Sequence, residues 1–219
     1  MNCAVIQSAI ALVLALMAIG CDVSSNTPQI PATTSKTDTP ADKEQLLNAI
    51  TELERESQNS NVPPPAINLQ TPPGWSKSEP RPLPADDHGF TIAYEHDSGM
   101  AVTFYQFTRG LNSIPNDVNS APVKNELRRA KSGIQQAVEL GYWQSAQELK
   151  TDTVVLGDSD QKAHWSQYQL TIDDTSAVSD IYVWSFNDTL FKLRCTNRFE
   201  DVTSNQNILK PLLTSLGSQ

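Results

Sequence analysis

Between Asp180 and Phe186 both alternating sets of side chains are apolar: Tyr182, Trp184 and Phe186 on one side, Ile181 and Val183 on the other. Successive side chains of an extended strand point to opposite faces. This strand therefore suits a position packed by a helix on one face and by other material on the opposite face. A two-sided core is the first reading of the three aromatics. A groove lined by them, for a ligand or a partner, is the functional alternative. Tyr142 and Trp143, just beyond the main helical pattern, carry the same two readings, although capping contacts alone account for Tyr142.

The rest of the pattern from Gly74 onward supports such a sheet. Residues 90–95 and 100–107 read as strands joined by a turn at Asp97-Ser98-Gly99, a hairpin. Residues 120–140 read as the main helix, with Val123, Leu127, Ala130, Ile134 and Val138 on one face. Asn119 or Ser120 is placed to cap it, Pro122 falls in the tolerant first turn, and Gly141 suits its end. Short β-prone segments follow at 143–149, 153–156, 164–172, 180–186 and 190–197. The last three form an antiparallel meander with turns at Asp173-Asp174-Thr175-Ser176 and Asn187-Asp188. A short helix over 205–216 closes the chain with a stripe of Ile208, Leu209, Leu212, Leu213 and Leu216. Pro211 fits it only if the helix begins close before that residue. Local β pairing, with helices set apart in sequence, predicts an α+β fold: an antiparallel sheet packed by one long and one short helix.

The N-terminal third is different in kind. Residues 9–19 are unbroken and apolar, and Ala18-Ile19-Gly20-Cys21 follows. The run matches the roughly 7–15 residues of a secretory signal and falls short of the about 20 that span a bilayer. The string resembles a bacterial lipobox, with Ala18 in place of the more usual Leu and no Lys or Arg in the segment before it. The expected organisation is a lipoprotein signal peptide over 1–20 and a lipidated disordered tether over 21–40. A short helix over 41–58, a Pro-rich linker over 59–73 and the globular domain over 74–219 follow. Plain secretion and an uncleaved anchor helix are the alternatives. A diacylglyceryl group on Cys21 supplies two acyl chains, enough for stable anchoring. Asp22 leans the address toward the inner membrane. The tether spans roughly 25 Å as a flexible coil and about 55 Å if its prolines hold it extended. Of three cysteines, only Cys195 then remains unmodified, so the mature chain forms no intramolecular disulfide. Cys195 alternates with Phe191 and Leu193 and reads as a buried, inert thiol.

A family resemblance rests on further motifs. These are Gly99 through Leu111, then Ile114-Pro115-Asn116, Val123-Lys124-Asn125-Glu126-Leu127, and Phe191-Lys192-Leu193-Arg194. Together they resemble a group of uncharacterised bacterial lipoproteins. The layout of residues 74–219, with Pro73-Gly74-Trp75 at its start, is similar to the PsbP/DcrB-like α/β-sandwich. The resemblance implies an extracytoplasmic domain that binds or assembles with partners rather than a catalyst. It carries no ligand residue to this chain.

Chemistry-bearing motifs are sparse. A net charge of -9 argues against nucleic-acid partners. The basic group Lys124, Arg128, Arg129 and Lys131 reads as a solvated helix face. Asp86-Asp87-His88 and His96-Asp97 flank one strand of about 20 Å and read as ordinary loop polars, able to share a metal only if the turn folds back. His164 is expected at a sheet edge, and Asp158-Ser159-Asp160 as a turn rather than a calcium loop. No catalytic, metal or cofactor residue is assigned, and lipidation at Cys21 is the one expected site. The function expected is a non-enzymatic binding or assembly role at the cell envelope. The membrane is held through the N-terminal lipid, and the partner is another envelope protein. Capture of a small ligand or metal is the alternative, and an envelope hydrolase with dispersed residues stands behind it.

Overall fold

The computed structural model describes residues 63–67, 69–198 and 202–218. The signal peptide, the tether, the helix expected over 41–58 and the first residues of the linker lie outside the described residues. Eight strands form a single sheet: β1 Trp75–Lys77, β2 Arg81–Pro82, β3 Gly89–His96, β4 Ala101–Phe107, β5 Ser145–Val155, β6 Lys162–Ile172, β7 Thr175–Phe186 and β8 Thr189–Arg198. Their order is β1-β3-β4-β8-β7-β6-β5, with β2 also paired to β3. Every pairing is antiparallel. Among the described residues two α-helices, α1 Ala121–Glu139 and α2 Val202–Gly217, complete an α+β fold.

The sheet is buried on both faces. On one, Trp184, Phe191, Leu193 and Phe104 pack with Leu209, Leu212, Leu213 and Leu216 of α2. On the other, Ile181, Val183, Tyr168 and Tyr105 pack with Val123, Ile134 and Ala137 of α1. Trp184 and Val183, neighbours in β7, are each fully enclosed on opposite faces. The two-sided apolar strand is thus a two-sided core. Trp184, Phe191 and Phe104 pack there at centroid distances of 5.3–6.2 Å, so these three aromatics fill the core.

The turns follow from local chemistry. Asp173 and Asp174, with φ of 48° and 59°, join β6 to β7 as a two-residue loop of left-handed residues. Asn187 and Asp188, at 46° and 54°, do the same between β7 and β8. Asn and Asp tolerate this region because their side chains bond locally. Gly141, at φ 76°, ends α1, and the Gly141 and Tyr142 amides donate to the carbonyls of Val138 and Ala137. At the other end Ser120 occupies the cap position without a side-chain cap hydrogen bond.

Four expectations need correction. The two segments expected over 143–149 and 153–156 are one strand, β5, carrying a register irregularity between Glu148 and Lys150. Its middle is polar because it is the exposed edge strand, so apolar alternation fails there while pairing continues. His164 is not at an edge, since β6 runs between β5 and β7. The final helix starts at Val202, well before Pro211. Pro211 is tolerated inside it because it faces solvent, where water takes the carbonyl its missing N–H leaves free. Residues 63–70, read as linker, pack on the domain: Ile67 is 6 % exposed in the α2-side core. There Gln106 fixes the backbone. Its Oε1 accepts from the Ala66 amide at 2.8 Å and its Nε2 donates to the Pro64 carbonyl at 3.0 Å.

Because Ile67 fills core space, Ile67→Ala leaves a cavity. The expected loss is about 2–5 kcal/mol in urea unfolding, as for other core truncations.

Candidate functional site: a polar seam between the sheet and the long helix

Polar side chains interrupt the α1-side core along one seam. Lys192, Arg194 and Thr196 alternate on β8 and face α1, opposite the register positions Tyr105, Thr103 and Ala101 of β4. α1 contributes Glu126, which lies one turn beyond Val123 and so falls on the same buried face. Glu126 is 2 % exposed and acts as a hub: its Oε2 accepts from Arg109 Nη2 at 3.0 Å and its Oε1 from Lys192 Nζ at 3.1 Å. Arg109 also pairs with Asp87 through Nη1. The Lys192 ammonium lies 4.4 Å from the centroid of the Tyr105 ring, and the Arg109 guanidinium 4.9 Å from that of Phe107.

The backbone around this hub is strained into place. Arg109 has φ 55°, and its amide and that of Thr108 both donate to the Asp87 carbonyl. Gly89 is required beside it, because a Cβ there would stand 2.0 Å from the Gln106 carbonyl oxygen. Asp87, named from sequence as a loop residue, therefore anchors the loop after β4. His88 and His96 end up at opposite ends of β3. His96 is occupied locally, with Nδ1 3.0 Å from Ser98 Oγ and its ring edge-on to Trp75. Among the described residues no group of three or more His, Cys, Asp or Glu is arranged to hold a metal.

Farther along the seam a second cluster joins α1 to β5. Lys131 donates to Glu148 at 2.7 Å and to Thr151 at 2.8 Å, while Tyr168 donates to Glu148 at 3.0 Å. Burial pushes the Glu148 carboxyl up, but these hydrogen bonds and the Lys131 charge outweigh it and hold the pKa below its ordinary value. Lys131 is thus a bridge to the sheet rather than part of a purely solvated face. His164 lies 3.3 Å from Thr153 Oγ1, and burial followed by the Lys124 charge lowers its pKa.

Arg194 is the anomaly. It is 9 % exposed, yet it forms none of the ion pairs found among the described residues. Its Nε reaches Ser179 Oγ at a long 3.4 Å, and its Nη2 is buried without a partner. The guanidinium carbon stands 4.8 Å from the Trp143 ring centroid, and Ser179 and Thr196 share a hydrogen bond of 3.0 Å beside it. A desolvated cation–π contact contributes about 2 kcal/mol, whereas burying an unpaired ion costs several kcal/mol. The ring does not offset the burial, and burial lowers the guanidinium pKa, with Tyr105 opposing. The carboxylates of the seam are already engaged, Glu126 with two cations and Glu148 with Lys131.

The opposite face holds the converse group. Asp180, 8 % exposed, accepts on Oδ1 from Trp165 Nε1 at 2.8 Å and from Gln167 Nε2 at 2.9 Å, with no cation in its pairing. Burial pushes its carboxyl above the ordinary range despite these donors. Cys195, across from it in β8, is 1 % exposed with its thiol pushed far up by burial. It is the inert core thiol that its alternation implies. Asp158 of the Asp158-Ser159-Asp160 turn pairs with Lys210 at 2.8 Å and ties the β5–β6 connection to α2.

Sequence reasoning brought no residue of the seam forward as a site. A signal existed. Lys192 and Arg194 alternate on a strand next to one that is apolar on both faces, and charges in such a neighbour must be buried.

No protein-family model and no curated protein sequence matches the chain. Among solved structures, the solution structure of cyanobacterial PsbP (CyanoP) from Synechocystis sp. PCC 6803 is similar with a TM-score of 0.42. It is 9% identical, over 66% of this chain and 81% of that one. The crystal structure of LpqN, involved in cell envelope biogenesis of Mycobacterium tuberculosis, is similar with a TM-score of 0.33. It is 13% identical, over 74% of this chain and 85% of that one. At these values neither likeness carries a residue or a role across.

Two outcomes test the seam. Glu126→Ala strands two cations that keep about a fifth of their side chains exposed. Chemical denaturation should show a loss of about 2–4 kcal/mol, below the full cost of a sealed pair. For Asp180 the folded pKa lies above the unfolded one, so its contribution is complete below about pH 4 and is lost as pH rises through the folded value. Melting curves of wild type and Asp180→Asn, taken from about pH 4 to about pH 7, should therefore separate in the variant's favour as pH rises.

Proposed function

We propose that this chain is a lipid-anchored extracytoplasmic binding protein of the bacterial cell envelope, with a non-enzymatic role. The observation that carries this reading is Cys21, which follows the unbroken apolar run of residues 9–19 and precedes a polar, Pro/Ser/Thr-rich stretch. Cleavage before Cys21 and acylation of its sulfur place two lipid chains in the bilayer. The folded body, described from Pro63 onward, then stands off from the membrane. Among the described residues no helix is long and apolar enough to cross a membrane. Asp22 favours retention at the inner membrane.

Support for binding over catalysis comes from the domain's own groups. Cys195 is sealed in the core with a raised pKa, the opposite of what a thiolate nucleophile needs. The buried carboxylate of Glu126 is engaged by two cations and leaves no free base there. Small-ligand capture is favoured as the form of binding by Arg194, a buried cation with no ion-pair partner.

Expression of the full chain in a bacterium with labelled palmitate tests the anchor. Label should enter the wild-type protein in the membrane fraction and be absent from Cys21→Ser. A wild-type protein that takes up no label, or a Cys21→Ser variant labelled equally, overturns the reading.

A further inference from the structure

We infer that Arg194 is the receptor for a singly charged oxyanion, a carboxylate or a phosphodiester, that lies against Trp143, Ser179 and Thr196. This names the ligand class for the binding role just proposed, but it does not need the lipid anchor.

Two observations carry it. First, the guanidinium is more than nine-tenths buried and its Nη2 has no hydrogen-bond partner, so a donor is held ready without an acceptor. Unpartnered buried donors are rare in folded proteins. The planar fork of an Arg side chain matches the two oxygens of a carboxylate or phosphodiester. Second, the surroundings lack an internal counter-ion and supply additional polar groups. Ser179 and Thr196, both buried, place hydroxyls beside the guanidinium, and Tyr105 stands across the seam.

Charge balance selects the ligand's charge. One uncompensated positive charge is neutralised by one negative charge. A dianion would leave excess negative charge in a seam that belongs to a chain of net charge -9. Lys192 does not supply a second cation, because Glu126 already holds it at 3.1 Å.

The test uses the full mature chain, labelled with nitrogen-15 and followed through the Arg194 Nε–Hε signal. That signal is assigned by its loss in Arg194→Gln. Sodium acetate and sodium dimethyl phosphate are titrated against sodium chloride at matched ionic strength. The inference expects a saturable displacement of the Arg194 signal by acetate, by dimethyl phosphate or by both. The probe that binds separates a carboxylate ligand from a phosphodiester one. Anion-dependent thermal stabilisation should weaken more than about tenfold in Arg194→Gln, the loss expected when a charged hydrogen-bonding group is removed. Arg194→Met, which keeps the length but not the charge, should fold with an unchanged or higher melting temperature in the absence of anion. A signal that neither oxyanion moves, or that chloride moves equally, overturns the inference. So does an Arg194→Met chain much less stable than wild type, which would make Arg194 a packing element on Trp143. Repeating the titration on Cys21→Ser separates this outcome from that of the anchor, since the Arg194 response should survive loss of the lipid.

Discussion

Everything in the domain depends on the middle of the sheet being dry on both sides. β7 and β8 present Trp184, Phe191 and Leu193 to α2, and Ile181, Val183 and Leu190 to the α1 side. Each helix supplies an amphipathic stripe that water would otherwise cover, and neither face of the sheet is stable without its helix. The chain reaches this arrangement with short connections. Four sequential strands, β5 to β8, form the meander, and the β3–β4 hairpin joins it through β8.

Two-sided burial sets the terms for every charge on the central strands. Lys192 keeps only about a fifth of its side chain in water, the helix brings Glu126 to it, and Arg109 with Asp87 completes the pairing. The result fixes helix to sheet with directional contacts that apolar packing alone lacks. Arg194, two residues along the same strand, received hydroxyls and a ring but no carboxylate. Asp180 on the opposite face received amide and indole donors but no cation. These two groups lower the stability that the rest of the fold supplies. Uncompensated charges of this kind are where function is sought.

Much of this architecture was legible in residue order. Alternation in β7 announced the double core, Asn187-Asp188 and Asp173-Asp174 announced the tight turns, and the helical spacing from Val123 to Val138 announced α1. What escaped did so for identifiable reasons. β5 is an edge strand with charged residues at its middle, so its polarity hid its continuity. β1 and β2 are too short to carry a period. The docking of residues 63–70 depends on Gln106, a side chain about 40 positions away, and no local pattern encodes that. Glu126 was left out of the helix's core face because one charged position on an apolar helical face breaks the pattern that defines the face. Its burial becomes readable only when Lys192 is known to lie opposite it.

The central claim is that β7 and β8 form the most protected part of the protein because both their faces are covered. Native-state amide hydrogen exchange measures this directly. The amides of residues 181–184 and 191–195 should exchange only through global unfolding, with opening free energies equal to the stability from denaturant titration. Exchange at these amides as fast as that along the exposed edge strand β5 would contradict the account.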